Sequence, residues 1–156
     1  MPEPRDVLRR DDGIVIRIVE GTDPVMRGVA DLCYETLHRP FGVSRNDYWN
    51  ETDPASTHLV ALDGERLVGY VRLIVEGGGG HVRQAIVDRA YRRRGIAAAL
   101  VACVLARARE LGLPFAFLNA RANAVRIYER LGFRVVGGPF RMGRTYLKHV
   151  RMEAVL

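Results

Sequence analysis

The sequence predicts an α+β fold in which a mixed central β-sheet is flanked by helices. Three observations carry this reading: β-rich runs joined by a hairpin-type turn at Asp63-Gly64-Glu65, amphipathic helical patterns over Ile96–Leu111 and Ala122–Leu131, and strands standing between and after those helices. Hairpin strands and helix-connected strands thus alternate along one chain, which calls for a sheet of mixed direction.

Residues 14–19, IVIRIV, are β-branched and read as a strand. Thr22 and Asp23 offer capping oxygens to a helical pattern from Pro24 to about His38, with Val25, Val29, Leu32, Cys33 and Leu37 on one face. Pro40 and Gly42 end it, and the polar segment from Ser44 to Thr57 is expected to be a long excursion that could wall a substrate pocket. His58–Leu62 and Arg66–Val75 flank the turn and form an antiparallel hairpin. Gly77 to Gly80 is expected to be a flexible connection, followed by a strand from Val82 to Asp88. In the next helix Ala97, Leu100, Val101, Val104, Ala108 and Leu111 recur at spacings of three and four, with Gly112 as the C-terminal cap. Phe115–Ala120 is a short buried-strand pattern, Ala122–Leu131 a second helix ending at Gly132, and Phe133–Val136 and Tyr146–Ala154 the final strands. The whole reads as one domain, 1–156, with residues 1–13 flexible.

Composition sets the class. A chain of 156 residues with 48% hydrophobic and 27% charged residues is ordinary for a globular protein, and its longest apolar run, Ile96 to Ala106, is too short to cross a bilayer. Residues 1–13 are charged where a signal peptide would be apolar, so a cytoplasmic location without membrane partners is expected. Cys33 and Cys103 lie among apolar neighbours, without the paired spacing of a zinc or redox site, and no metal is expected. The net charge of +6 comes almost wholly from arginine, Lys148 being the only lysine. Scattered arginine is what genomic bias places on a solvated surface; the run Arg92-Arg93-Arg94 is the exception and points to a phosphate-bearing partner. A nucleic-acid-binding domain is disfavoured because neither a reading helix nor an aromatic stacking platform accompanies the charge.

The informative unit is Val87 to Ala97: a strand end, a turn carrying the three arginines, and Gly95 at the first turn of a helix. Amides at a helix N-terminus point at an anion-sized space, and glycine lets a phosphate approach without a Cβ in the way. Taken alone, the fragment could equally be an ordinary strand-to-helix turn.

Arg92-x-x-Gly95-x-Ala97 resembles the Q/R-x-x-G-x-G/A signature of the GNAT superfamily of N-acyltransferases. Downstream, Leu118-Asn119-Ala120-Arg121 and Ala124-Val125-Arg126-Ile127-Tyr128-Glu129-Arg130-Leu131-Gly132-Phe133 resemble the family's later strand and its A-V-x-x-Y-x-x-L-G-F helix. Lys148-His149-Val150-Arg151-Met152 is similar to the H-x-x-M close of a bacterial subgroup that includes ElaA-like proteins. About two thirds of the chain is covered, with residues 1–57 matching only in outline.

The resemblance implies a GNAT-like sheet and acetyl-CoA as co-substrate for transfer to a small-molecule or peptide amine. Ile86 and Val87 then pair their backbone with the pantetheine arm, and the pyrophosphate lies on the amides of Arg93, Arg94, Gly95, Ile96 and Ala97, with the arginine side chains, Arg92 included, reaching phosphate oxygens. Tyr128 matches the general acid; without its motif it reads as a core aromatic. His81 stands at the position of a base in some branches, though a strand-edge role fits it as well, and His58 and His149 are open as pocket residues. Arg121 occupies a position where many relatives carry asparagine, so Asn119 and Asn123 are candidates for the missing amide contact. A fold member that binds acyl-CoA and regulates without turnover is the alternative, and a homodimer is left open.

Overall fold

The computed structural model describes residues 4–41, 56–141 and 147–156. The expected excursion from Ser44 and the start of the last strand at Tyr146 lie in large part outside these residues.

Among the described residues eight strands form one sheet in the order β1-β2-β3-β4-β5-β6-β8-β7, where β1 is Arg5–Arg9, β2 Ile14–Val19, β3 Thr57–Asp63, β4 Arg66–Glu76, β5 Gly79–Val87, β6 Phe115–Arg121, β7 Arg134–Arg141 and β8 Lys148–Val155. Every neighbouring pair is antiparallel except β5 and β6, which run parallel. Among the described residues three α-helices accompany the sheet: α1 (Met26–Cys33), α2 (Ile96–Glu110) and α3 (Val125–Glu129).

The chain's own turns set the register. Asp63 pairs with Arg66 across a two-residue turn whose Gly64 has φ +61°, as a tight hairpin requires. The expected flexible run of glycines is instead a second tight hairpin. Gly77 and Gly78 turn with φ of +61° and +79°, and Gly79 and Gly80 are already strand residues opposite Glu76 and Val75. A Cβ on Gly79 would stand 2.6 Å from the Phe115 ring, so that glycine serves close packing and not mobility. Residues 5–9 likewise depart from the expected flexible leader. They form the edge strand β1, tied by Asp6 to Arg17 at 2.6 Å and by Arg5 to Glu110 at 3.3 Å. Because β1 is exposed along its length, it lacks the burial pattern by which a strand shows in sequence.

Near α1, the Asp23 carboxylate accepts from the Val25 amide at 2.9 Å in the turn before the helix, whose N-cap is Val25 and carries no side-chain cap bond, so the expected capping oxygen acts ahead of the helix and not at its N-cap. The helix stays α-helical only to Cys33 and continues as a π-helical turn over Tyr34–His38. The Ala122–Leu131 pattern also shortens: a 3-10 turn over Ala122–Ala124 precedes α3, and Leu131 and Gly132 close it with i to i−3 bonds to Tyr128 and Glu129.

The sheet separates two cores. On one face Ile16, Leu59, Val71, Leu73, Leu118 and Met152 pack under the buried side of α2, with Tyr128 and Leu131 of the α3 region beside them. On the other, Met26, Val29 and Cys33 of α1 cover Val60, Tyr70 and Ile86. Both cysteines are free thiols; burial raises the Cys103 pKa, which makes it a poor nucleophile.

Candidate functional site

The parallel strands β5 and β6 pair only at Gly80 with Ala116 and at His81 with Phe117. Beyond that point β5 stays on β4 as far as Val87 and β6 stays on β8 as far as Arg121, so the sheet splits between them. Past His81 the side of β5 that turns to the split has no strand to bond among the described residues, an edge that an amide-bearing ligand can extend. A bulge sits on this stretch: Gln84 and Ala85 together oppose Val71, with Gln84 at φ +58°. Ile86 and Val87 come next, both buried, Ile86 toward α1 and Val87 toward α2. Their side chains belong to the two cores; Ile86 pairs with Tyr70 on β4, and the Val87 carbonyl accepts from Arg92 Nε at 3.4 Å.

Because the two strands are parallel, the segments leaving their C-terminal ends emerge together at the open end of the split. After β5 comes the arginine loop. Asp88 accepts from the Ala90 amide at 2.9 Å and starts a 3-10 turn, Arg89–Tyr91. Tyr91 is buried, donates its hydroxyl to Asp63 at 2.5 Å, and lies between the Arg66 and Arg94 guanidinium groups, 4.9 and 4.8 Å from its ring centre. Arg93 and Gly95 have φ of +66° and +75°, so the backbone curls left-handedly into the α2 N-terminus, where Gly95 is the N-cap. Arg92, Arg93, Arg94 and Gly95 are exposed, whereas Ile96 is buried and anchors the helix start. Such a curl aims successive amides at one concavity, and the helix dipole adds attraction for an anion. Ala97 is half-buried against the core behind it.

Arg10, in the turn between β1 and β2, also reaches this loop. Its Nη2 donates to the Arg94 carbonyl at 2.6 Å while Asp12 holds the same guanidinium at 3.0 and 3.1 Å. The contact spans 84 positions in the chain and leaves no local signal in the sequence.

After β6 comes α3 with Tyr128, which is half-buried and edge-on to Phe133. Desolvation raises the Tyr128 pKa, opposed in part by the nearby Arg121 charge, so the phenol stays protonated at neutral pH. Among the described residues its hydroxyl has no hydrogen-bond partner. Asn119 is half-buried on β6, opposite Arg151, and Asn123 is exposed in the 3-10 turn before α3. A cavity of about 580 Å³ opens at this end, lined by Leu32, Glu35 and Thr36 from the α1 side and by Asp88, Arg92 and Arg121 from the ends of the split strands.

His81 occupies the opposite, closed end. It stacks on Phe117 with ring centres 4.5 Å apart, and its Nδ1 contacts the Glu76 carboxylate. Burial lowers its pKa more than Glu76 raises it, so the ring is neutral at neutral pH. The structure therefore gathers the arginine loop and Tyr128 at one end and sets His81 at the other. His58 is fully buried against the Tyr70 hydroxyl at 2.7 Å, and His149 donates from Nδ1 to the Leu147 carbonyl at 2.8 Å. Among the described residues no group of three or more His, Cys, Asp or Glu could hold a metal ion, and no helix is long and apolar enough to cross a membrane.

Residues 29–156 match the acetyltransferase (GNAT) domain family. The chain belongs to the GNAT family. Over 87 residues it is 30% identical to the uncharacterized N-acetyltransferase YjcF of Bacillus subtilis, a match that takes in 56% of this chain and 62% of that protein. The fold superposes on an acyl-CoA N-acyltransferase from Pseudomonas aeruginosa with a TM-score of 0.76 and 20% identity, covering 91% of this chain and 99% of that one. Escherichia coli ElaA gives 0.71 and 18%, covering 89% and 98%. These two likenesses are of fold, and they agree with the mixed sheet and flanking helices that the sequence predicts.

Proposed function

We propose that this GNAT domain transfers an acetyl group from acetyl-CoA to a primary amine by direct attack, with Tyr128 as general acid. The observation that carries the reading is the split between β5 and β6, which puts the left-handed loop at Gly95 and the helix bearing Tyr128 at one open end. The residues fit the co-substrate. Exposed amides and arginines from Arg92 to Ala97 suit a pyrophosphate, the bare edge of β5 at Ile86 and Val87 suits an amide-bearing arm, and Asn119 and Asn123 stand on the facing wall. Acetyl-CoA supplies an activated acyl carbon.

The amine nitrogen forms a bond to that carbon as the bond to sulfur breaks. Tyr128, protonated at neutral pH, can give its proton to a departing thiolate whose conjugate acid has a pKa near about 8.5. The amine's own proton must leave too, and His81, held neutral by burial, can take it through ordered water. The domain is expected to work in the cytoplasm as one unit.

Tyr128→Phe keeps the ring and its packing on Phe133 while removing the hydroxyl. The expected result is near-native stability and CoA affinity, with kcat lowered about 100-fold to 10,000-fold. Turnover is measured with an acceptor found by screening amines for thiol release, and CoA affinity is measured separately by thermal shift. Unchanged kcat in a folded variant, with chemistry limiting the rate, would remove Tyr128 from the acid role. CoA binding with no turnover on any amine would instead identify a regulatory acyl-CoA sensor.

A further inference from the structure

We propose that the acceptor amine carries a carboxylate a few atoms from its nitrogen, as an amino acid does, and that Arg83 and Arg151 bind that carboxylate. The proposal rests on the transferase reading and narrows its substrate class.

A row of polar side chains begins where the sheet divides. On the α1 side of the sheet, His81 and Phe117 are the last paired residues, and the next side chains on that face are Arg83 on β5 and Asn119 on β6. Strand register then extends the row. Arg83 lies opposite Arg72 on β4, and Asn119 lies opposite Arg151 on β8. Directly opposed residues share a face, so the closed part of the split is rimmed on this side by arginine from both halves of the sheet.

These groups are not equivalent. Arg72 is buried and engaged in contacts of its own. Arg151 is held in place, its guanidinium 4.3 Å over the Phe117 ring and bonded to Glu153 at 3.0 and 3.3 Å. Arg83 is half-buried and has no carboxylate partner among the described residues. Among the described residues, Glu76 is committed to His81 and Glu153 to Arg151. The charges of Arg83 and Arg151 both act on His81 and oppose its protonation, which puts all three around one space.

The phosphates of acetyl-CoA do not account for this rim. Arg83 stands four residues before the strand end at Val87, with the bulge at Gln84 and Ala85 between them, and the arginine loop lies beyond that end. The rim instead stands beside the closed part of the split, on the face away from α2 and α3. A polycation entering there would meet the charge of Arg83, which has no carboxylate beside it among the described residues, while a carboxylate would gain charge-assisted bonds from Arg83 and from the Arg151 N–H groups not given to Glu153.

The test uses matched pairs of acceptors: amino acids, the same amino acids as methyl esters, and spermidine as a polycation. For the wild-type domain, kcat/KM for the free acid should exceed that for its ester by about tenfold or more, the scale of a hydrogen bond between charged groups, and spermidine should be the poorest acceptor. In Arg83→Gln the acid-to-ester ratio should collapse toward one, and Arg83→Lys should restore part of it, which a general loss of folding could not do. Preference for the ester or for spermidine in the wild type, or an unaltered ratio in Arg83→Gln, overturns this proposal and leaves the transferase reading standing. Failure to bind acetyl-CoA together with no turnover on any amine overturns both.

Discussion

On the side covered by α2 and α3, the sheet buries Ile16, Leu59, Leu73, Leu118 and Met152 in an uninterrupted apolar layer. On the side covered by α1, apolar residues fill only part of the area, and the strip next to them holds His58, Arg72, His81, Arg83 and Arg151. The first arrangement is driven by removing hydrocarbon from water and determines the fold. The second keeps polar groups close to the split, where each must be satisfied by a neighbour or by a ligand. Stability and specificity therefore lie largely on opposite faces of one sheet, and the split between β5 and β6 is where they meet.

The largest expected effect tests the apolar face. Leu100 is fully buried on α2 with its Cδ1 over Gly69, 3.0 Å from where a Cβ there would stand. Leu100→Ala should cost about 2–5 kcal/mol, toward the upper end because a glycine opposite offers no side chain to fill the gap. Urea unfolding of wild type and variant measures it. A cost below about 1 kcal/mol would mean that this face is not the main source of stability.

This contrast also explains what can be read from the sequence. The α2 helix, its glycine cap and the β3–β4 hairpin follow from local spacing and turn chemistry, and the structure has them nearly as expected. The arginine loop is legible for the same reason, since strand, turn and helix start lie within eleven residues, Val87 to Ala97. The rim of Arg72, Arg83 and Arg151 is not, because it exists only through strand register, across a hairpin the glycine run does not announce and, for Arg151, from a strand far along the chain. Gly79 reads as mobile because the Phe115 ring that fills its missing Cβ space comes 36 residues later. The edge strand β1 escapes notice because an exposed strand needs no apolar alternation.

A smaller effect is expected at Arg10, which asks whether the apolar face alone orders the loop. Ile96 and Tyr91 anchor the loop by burial, but the Arg94 carbonyl is held by Arg10 from the β1–β2 turn. If that brace maintains the left-handed path through Arg93 and Gly95, Arg10→Ala should weaken CoA binding by about tenfold, the worth of one charged hydrogen bond. Binding of S-acetylpantetheine, which lacks the pyrophosphate, should change far less. Equal losses for both ligands would place the effect in general destabilisation.

The smallest effect concerns His81, the polar face's own titrating group at the split. Burial lowers its pKa in the folded protein, so between that value and the usual value of about 6.5 the unfolded chain binds more protons than the folded one. Stability then rises with pH across this window and falls as the solution is acidified through it. His81→Gln removes the titration, so the variant should lose less stability than the wild type between about pH 7.5 and 5.5; His58 and His149, present in both, cancel in the difference. Glu76 works in the opposite sense, since its carboxylate favours the protonated ring, while Arg83 and Arg151 join burial in opposing it. The measurement therefore decides which influence prevails. If acidification stabilises the wild type relative to His81→Gln, the Glu76 pair has won, the folded protein binds the ring's proton more tightly than the unfolded chain does, and His81 is the weaker candidate to accept the proton of an incoming amine.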